Sequence, residues 1–348
     1  MPLAVARELD DVVAGITRWL HDARGASGVD VLTCERPSDG LSSETVLVRA
    51  ALTVGGVSRD QSFVFRLPPL GEGIFPSYRL DVQAAVQDHV RAHGVPAAPV
   101  ECVADEQYFG VPFLVMPKVD GHVPASTPQT DPWITDLSGA AQDALYGCFL
   151  DAIAAVHAVP TDALAEVVPT RDLDAELAYW RAYLDWYADG HRIVPTLHDA
   201  LEWCTRTRPA DPPNALLWGD VRMGNLIFDE QRHVAAVLDW EMVSIGAPEH
   251  DLGWCWALES MQDEMLRCRV DGFPTRNAAQ AAFEARIGRP LQAMPWFEIF
   301  ALVRSTSIMT RIAVLHERAG VPNFFPIADN PILDVITARI ARHDQESA

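Results

Sequence analysis

Lysine is almost missing from this chain: of its 27 Lys and Arg residues, only Lys118 is a lysine. Any role that usually needs a lysine must therefore fall to Lys118 or to an arginine. The two cations are not equivalent, because the planar arginine fork can bridge two oxygens but needs more room than an ammonium. The heavy use of Arg and Ala itself reflects a GC-rich coding bias rather than a function.

Positive charge is scarce as well. The 48 acidic residues outnumber the 27 basic ones and give a formal net charge of −21. This balance argues against nucleic acid or an anionic membrane as a partner, because binding their phosphates requires clustered Lys and Arg. An acidic surface mildly favours a cationic or neutral ligand over an anionic one.

The chain also lacks paired cysteines, a signal pattern and a long apolar run. The most apolar stretch, Ile299–Met309, is short and interrupted by Arg304, and the N-terminus MPLAVARELDD turns acidic at once. No C-x-x-C pair occurs, so neither a disulfide framework nor a zinc site is indicated. A reducing cytoplasm is the expected location. The six cysteines are scattered: Cys34, Cys102, Cys148, Cys204, Cys255 and Cys268.

The hydrophobic periodicity changes along the chain and predicts an α+β protein. The N-terminal part alternates with the period of β-strands, and the remainder follows mainly the helical period. We expect an N-terminal lobe over residues 1–116, a hinge at 117–121 and a helical lobe over 122–348, with a ligand in the cleft between the lobes. The predicted strands are Thr45–Val54, Ser62–Leu67, Phe113–Met116, Leu216–Trp218, Leu226–Phe228 and Val234–Leu238. The predicted helices are 8–24, Tyr78–His93, Leu145–His157, Leu173–Gly190, Ala278–Ile287, Trp296–Ala319 and Pro331–His343, and Pro124–Gly139 is predicted to be a loop.

The most informative segment is Leu216–Glu241, LLWGDVRMGNLIFDEQRHVAAVLDWE. Asp220 and Asn225 flank a loop between two apolar strands, and Asp239 ends the next strand. Oxygen ligands delivered from such positions can converge on Mg²⁺, which keeps several waters and needs few protein ligands. Phosphoryl transfer requires a positioned hydroxyl, metal charge on the phosphates and an acceptor for the departing proton.

This segment resembles the catalytic loop and metal-binding turn of the aminoglycoside phosphotransferase and choline kinase-like family, in an actinobacterial-type member. Protein kinases carry H-R-D-x-x-x-x-N followed by D-F-G. The resemblance implies a bilobal protein-kinase-like fold with a small antiparallel-sheet lobe, and it implies ATP and Mg²⁺ as cofactors. By that similarity Asp220 orients or deprotonates the substrate hydroxyl. Asn225 and Asp239 then hold Mg²⁺, and Glu241 is a candidate ligand for a second ion.

Two further segments carry the resemblance. Asp39-Gly40-Leu41-Ser42-Ser43-Glu44 is similar to the family's shortened glycine loop, in which N–H groups around Ser42 and Ser43 cap the ATP phosphates. Phe113–Gly121 is similar to the family's hinge. In that register Met116 takes the gatekeeper position, and the Pro117 carbonyl and Val119 N–H face the adenine edge.

The sequence departs from the family pattern at three places. Trp218 replaces the catalytic-loop histidine, which is largely architectural in kinases. Arg66 is the candidate phosphate-binding cation, since this part of the chain has no lysine. Gln83 takes the position of the usual glutamate, and we predict that its carbonyl orients the Arg66 guanidinium. An ordinary strand-end arginine is the alternative.

Other residues receive structural interpretations. Asp251, in Pro248–Trp254, is predicted to accept hydrogen bonds from loop amides. His157 and Trp254 are predicted to pack in the core, as is Trp256. For Arg222 a structural salt bridge and a contact with the γ-phosphate are both open. Glu298, Arg304 and Arg311 recur on one face of a late helix, where the family builds its substrate wall, but their identity does not reveal the acceptor.

The predicted function is ATP- and Mg²⁺-dependent phosphorylation of a small-molecule hydroxyl by a monomer or homodimer. Relatives act on aminoglycosides, macrolides, amino alcohols and hydroxyacyl thioesters, so the fold does not choose the acceptor. The acidic composition mildly disfavours an anionic thioester of coenzyme A. A nucleotide-binding pseudokinase or a silent small-molecule-binding protein is the alternative, and the replacements at Trp218, Arg66 and Gln83 are what support it.

Overall fold

The computed structural model describes residues 6–37, 42–188, 194–323, 326–327 and 329–346. The chain divides into two compact units. Unit 1 comprises Met1–Asp88, Ala98–Val119 and Val314–Asn323, and unit 2 comprises His89–Ala97, Asp120–Ala313 and Phe324–Ala348. The division after Val119 falls inside the segment predicted to be the hinge. The segments His89–Ala97 and Val314–Asn323 do not follow the boundary expected from the sequence.

Unit 1 is built on an antiparallel sheet with a helix before it. Within the described residues the strand order is β1-β2-β3-β5-β4. Alternate residues of β2 are buried (Val46, Val48, Ala50 and Leu52), as a sheet with one covered face requires. The elements are α1 (Leu9–Arg24), β1 (Gly28–Glu35), β2 (Glu44–Val54), β3 (Val57–Leu67), α2 (Leu80–Ala92), β4 (Glu101–Val103) and β5 (Phe113–Pro117).

The two faces of this sheet bury different clusters. On one face Trp19 of α1 meets Phe65 and Phe113 edge-on, with ring centroids 5.5 and 6.0 Å apart. Aromatic pairs in this geometry stabilise by about 0.5–1.5 kcal/mol beyond their buried area. On the other face Leu114 and Met116 pack with α2.

Unit 2 is mainly helical. The segment Met294–Ala319 is buried over most of its surface, whereas Pro195–Arg206 and Pro331–Glu346 bury one face and expose the other. The helices are α3 (Pro132–Thr135), α4 (Gly139–His157), α5 (Leu173–Ala188), α6 (Pro195–Arg206), α7 (Glu249–Leu266), α8 (Arg276–Ile287), α9 (Met294–Ala319), whose last six residues group with unit 1, and α10 (Pro331–Glu346).

Two short antiparallel strand pairs interrupt these helices. β6 (Ala215–Leu217) pairs with β9 (Ser244–Gly246), and β7 (Leu226–Phe228) pairs with β8 (Val234–Val237). All four strands are largely buried. They frame the loops that carry the predicted site.

The structure corrects several sequence-based expectations. β1 was not predicted: all of its residues are partly or fully exposed, and its pairing register shifts between Val31 and Thr33. β3 begins at Val57 instead of the predicted Ser62, so the turn after β2 is only Gly55-Gly56. The predicted loop Pro124–Gly139 contains α3, whose first turn is capped by the Asp131 side chain at 2.9 Å from Trp133 N.

The helix α9 is long and apolar enough to cross a membrane by length and composition alone. However, 89% of its most apolar 18-residue window is buried inside the protein, as in a core helix. All six cysteines are unpaired.

Candidate active site

The loop after β6 is held in place by one buried carboxylate. Asp251, on the first turn of α7, is 1% exposed. Its Oδ2 accepts from Trp218 N at 2.8 Å and its Oδ1 accepts from Gly219 N at 2.9 Å. His157 Nε2 lies 2.9 Å from the same Oδ2. The prediction that Asp251 is a structural acceptor for loop amides is confirmed, and so is the packing role of His157.

The residues before Asp220 have conformations that fit this anchoring. Gly219 has φ +95°, and a Cβ there would lie 2.4 Å from the Met242 carbonyl oxygen. Glycine is therefore required for both conformation and space. Trp218 is fully buried and donates its indole N–H to the Leu238 carbonyl at 2.7 Å. The tryptophan at the histidine position is thus an architectural residue, as predicted.

The carboxylate of Asp220 accepts hydrogen bonds from three side chains. Oδ1 accepts from Trp254 Nε1 at 2.9 Å. Oδ2 accepts from Arg222 Nε at 3.0 Å and from Asn225 Nδ2 at 2.8 Å. A carboxylate offers about four lone-pair directions. Among these bonds Oδ1 carries one and Oδ2 carries two, so Oδ1 is the oxygen better able to accept a further proton donor.

Asn225 is oriented so that its side-chain oxygen suits a cation. Its Nδ2 donates both to Asp220 Oδ2 and to the Asp220 carbonyl at 3.0 Å. The amide nitrogen is therefore committed, and Oδ1 is the atom that this side chain can offer to a metal. Mg²⁺ selects oxygen ligands of this kind.

Asp239 is brought next to Asn225 by the backbone of Leu238. Leu238 N donates to the Asn225 carbonyl at 2.9 Å, and β7 pairs with β8 just before it. Asp239 itself has φ +62°, in the left-handed region that non-glycine residues rarely adopt. Such strain clusters at functional sites, where the surrounding structure enforces it.

The donor set fits magnesium better than a softer metal. Within the described residues no group of three or more His, Cys, Asp or Glu side chains is arranged to hold a metal ion. A site formed by Asn225 and Asp239 has one amide and one carboxylate, and Mg²⁺ completes such a set with waters and phosphate oxygens. Glu241 follows two residues later, and its role as a ligand stays a prediction.

Arg222 forms a salt bridge with Asp220, which is one of the two roles left open for it by the sequence. Besides Asp220, its Nη1 donates to Ser126 Oγ at 2.9 Å. The guanidinium is 37% exposed and the Asp220 side chain 17% exposed, so solvent screens this ion pair. Arg222 thereby links the catalytic loop to the segment that precedes α3.

In unit 1 the predicted phosphate-binding residues lie at one end of the sheet. Ser42 and Ser43 are buried directly before β2, whereas Asp39, Gly40 and Leu41 of the predicted glycine loop lie outside the described residues. Thr45 at the start of β2 pairs with Arg66 of β3. The structure therefore places Arg66 on the strand opposite the residues that follow Ser43.

The start of β2 is fixed by a buried ion-pair cluster. Glu44 is fully buried and accepts from Arg7 Nη1 at 2.8 Å and from Arg36 Nη2 at 2.6 Å. A buried carboxylate requires such pairing, because an unpaired one would cost several kcal/mol. The serines next to Glu44 are thereby held at a defined place relative to Arg66.

The predicted pairing of Gln83 with Arg66 is wrong. Gln83 is buried on α2, but its Oε1 has no hydrogen-bond partner within the described part of the chain. Because a guanidinium only donates, Arg66 makes its interactions with other groups. A direct contact of Gln83 with a nucleotide stays a prediction.

The predicted hinge residues lie at the C-terminal end of β5 and directly after it. Met116 is buried, and Gln87 Nε2 lies 3.7 Å from its sulfur. Lys118 N donates to the Ser62 carbonyl of β3 at 3.0 Å. Successive N–H groups of an extended chain point to opposite sides, so the Val119 N–H is expected to face away from β3. Adenine contacts by Pro117 and Val119 stay predictions.

Trp254 is the site residue that sequence reasoning missed. It was interpreted as a core residue, and it is indeed 4% exposed. Its indole N–H, however, donates a hydrogen bond to Asp220. The available signal was its spacing: Trp254 lies three residues after Asp251 and so shares the face of α7 that meets the catalytic loop.

Solved structures share this fold. A Ralstonia eutropha JMP134 protein, provisionally named an aminoglycoside phosphotransferase, has a TM-score of 0.70 at 21% identity over 95% of this chain and 98% of its own. The macrolide 2'-phosphotransferase MphH from Brachybacterium faecium has a TM-score of 0.54 at 18% identity over 91% and 99%. A choline/ethanolamine kinase family protein from Mesorhizobium loti has a TM-score of 0.54 at 17% identity over 95% and 94%. The predicted bilobal protein-kinase-like fold is confirmed.

Curated relatives are similar over part of the chain. Human acyl-CoA dehydrogenase family member 11 is 27% identical over 198 residues, which cover 55% of this chain and 24% of that protein. Mouse acyl-CoA dehydrogenase family member 10 is 25% identical over 242 residues, covering 69% and 21%. This chain thus spans about a quarter of the length of these relatives.

The sequence profile of the phosphotransferase enzyme family matches residues 33–289, which include β2, Arg66, the hinge and the whole Asp220–Glu241 segment. The match extends over 257 of the 348 residues. This chain belongs to the phosphotransferase enzyme family.

Proposed function

We propose that this protein transfers the γ-phosphoryl group of Mg·ATP to a hydroxyl of a small molecule. The observation that carries the proposal is the convergence of Asp220, Asn225 and the Asp239 turn, which hydrogen bonds tie together. In the reaction the bond between the γ-phosphorus and the bridging oxygen breaks, a bond from phosphorus to the hydroxyl oxygen forms, and ADP leaves.

Asp220 is the group that orients the hydroxyl and accepts its proton. Its Oδ1 carries a single bond, from Trp254, and has a lone-pair direction left for the incoming O–H. Arg222 and Asn225 restrain Oδ2, so the carboxylate plane is fixed before the substrate arrives. Such preorganisation lowers the barrier, because less reorganisation is needed at the moment of reaction.

Asn225 and Asp239 are the residues that would hold magnesium, with Glu241 near a second ion. When bound, Mg²⁺ offsets the negative charge on the phosphates. Ser42, Ser43 and Arg66 are the proposed phosphate-binding residues of unit 1. Arginine suits this role, because its fork can bridge two phosphate oxygens.

The acceptor belongs to the hydroxyl-bearing small molecules. One protein of this fold, aminoglycoside phosphotransferase APH(4)-Ia, was solved in a ternary complex with ADP and hygromycin B, with a TM-score of 0.55 at 12% identity. Hydroxyacyl thioesters stay among the candidates, and the acyl-CoA dehydrogenase names of the curated relatives are compatible with them. Aminoglycosides, macrolides and amino alcohols complete the set. A reducing cytoplasm is the proposed location, and the six free cysteines support it.

A coupled ADP-release screen over these four acceptor classes tests the proposal. We expect at least one acceptor to raise ADP release above the rate with water, and we expect EDTA to abolish that release. The Asp239→Asn variant should lose both ADP release and its stimulation by Mg²⁺. The absence of ADP release with every acceptor, combined with no thermal shift by ATP, ADP or GTP, would leave the kinase assignment without support.

A pseudokinase makes a different prediction in the same screen. It would show a Mg·ATP-dependent thermal shift but no ADP release. At a Mg·ATP concentration of 100 times Kd, the shift corresponds to about 2.7 kcal/mol of stabilisation. The retained Asp220, Asn225 and Asp239 favour the enzyme.

A further inference from the structure

Trp254 stands outside the residues expected from the family resemblance, yet it touches the proposed base. Its Nε1 lies 2.9 Å from Asp220 Oδ1, whereas Arg222 and Asn225 bond to Oδ2. A hydrogen bond from an N–H to a carboxylate is stronger than a neutral one. This bond adds a third restraint to the carboxylate, and it is the one that acts on Oδ1 itself.

A buried arginine contacts the ring of this indole. The guanidinium carbon of Arg304 lies 5.1 Å from the Trp254 ring centroid. Arg304 is itself fixed by Glu176 Oε1 at 3.4 Å and by the His250 carbonyl at 3.3 Å. A cation over an indole face is attracted by the ring, so the ring plane and its N–H direction are both restrained.

Close packing of the backbones of α7 and α9 brings Trp254 and Arg304 near each other. Gly253 precedes Trp254 on α7, and a Cβ at that position would lie 2.8 Å from the Phe297 carbonyl carbon on α9. The glycine thus permits a close approach of the two helices. Arg304 projects from α9 two turns later, where it can cover the indole.

We propose that Trp254 is a positioning residue: it holds Asp220 Oδ1 so that the remaining lone pair meets the acceptor hydroxyl. This inference rests on the proposed phosphotransferase function. It predicts that the N–H of Trp254, and not only its bulk, contributes to turnover. Trp254 touches the base and not the nucleotide-binding residues, so its loss should change kcat and leave the KM for ATP in place.

The test is ADP release from Mg·ATP with water as the acceptor, which requires no knowledge of the natural substrate. Two changes are compared: Trp254→Phe, and replacement of Trp254 by benzothienylalanine, which substitutes sulfur for the indole N–H and keeps the ring shape. We expect each to lower kcat about tenfold, the ratio for roughly 1.4 kcal/mol, with the KM for ATP within about twofold of wild type.

Trp256 provides a matched control on the same helix. Its Nε1 donates to Tyr146 Oη at 3.2 Å, and Arg276 lies 3.7 Å above its ring, but it does not bond to Asp220. Trp256→Phe therefore removes the same chemical group and should leave kcat unchanged. In the Asp220→Asn background Trp254→Phe should cause no further loss, because both changes remove one interaction.

The outcomes separate the two proposals. Full activity of the benzothienylalanine protein would overturn the positioning role, as would a tenfold loss that persists in the Asp220→Asn background. A wild-type protein whose ADP release equals that of Asp220→Asn would overturn the proposed function, and the inference with it.

Discussion

Replacing Asp251 by asparagine should damage the fold and the site together. Asparagine keeps the shape of the side chain but has one acceptor oxygen instead of two. Asp251 Oδ2 serves Trp218 N and His157, and Oδ1 serves Gly219 N. Whichever way the amide turns, its NH₂ group must face at least one buried backbone N–H.

The magnitude follows from the cost of leaving a buried donor unpaired, about 1–3 kcal/mol for each group. With one amide N–H lost and a further contact weakened, we expect Asp251→Asn to lower the free energy of unfolding by about 2–4 kcal/mol. Because the lost bonds hold Trp218 and Gly219, the position of Asp220 should loosen and ADP release should fall.

Urea unfolding and ADP release on the same preparation measure both effects. Asp263→Asn is the control, since Asp263 lies on the same helix, is partly exposed and accepts from Gln129 at 2.6 Å. It should cost under about 1 kcal/mol. If Asp251→Asn changed the unfolding free energy no more than this control and kept full activity, the anchoring role of Asp251 would be refuted.

Three further predictions concern single residues. Gly219→Ala should cost more than about 2 kcal/mol in thermal or urea unfolding, because φ +95° and the Met242 carbonyl at 2.4 Å both oppose a Cβ; wild-type stability would show that the loop conformation is wrong. Burial raises the pKa of Glu259 to about 7, above its usual 4.5, so this residue stabilises the fold most at low pH and the stabilisation is lost as pH rises from about 4.5 to 7. Urea unfolding of Glu259→Gln should lack that loss of up to about 3 kcal/mol. The comparison of the two proteins also cancels His250, whose pKa burial lowers to about 4 with the opposite pH dependence. Arg66→Met should raise the Kd for Mg·ATP at least about tenfold in calorimetry, since it removes a charge-assisted phosphate contact, and an unchanged Kd would reject Arg66 as the phosphate-binding cation.

The parts of the site that depend on short spacing could be predicted from the sequence. Asp220, Asn225 and Asp239 are linked through one loop and one hairpin, so their chain separation nearly determines their proximity. Asp251 could be predicted from the resemblance of Pro248–Trp254 to the family, although the helix α7 that carries it was not among the predicted helices.

Features set by tertiary packing could not be predicted. The strand β1 has no fully buried residue, and a register shift between Val31 and Thr33 interrupts its alternation, so the pattern does not reveal its pairing with β2. The direction of the Gln83 carbonyl depends on rotamers of α2 that the sequence pattern does not specify. Trp254 was predicted to be a core residue, and it is buried. Its second role comes only from the position of its N–H relative to Asp220, which the sequence pattern does not specify.

The most direct test of the phosphotransferase centre compares Asp220→Asn with wild type for ADP release and Mg·ATP affinity in one preparation. We predict that the variant binds Mg·ATP with unchanged Kd and releases ADP at least about a hundredfold more slowly, the range of a lost general base. Equal turnover in the two proteins would contradict it.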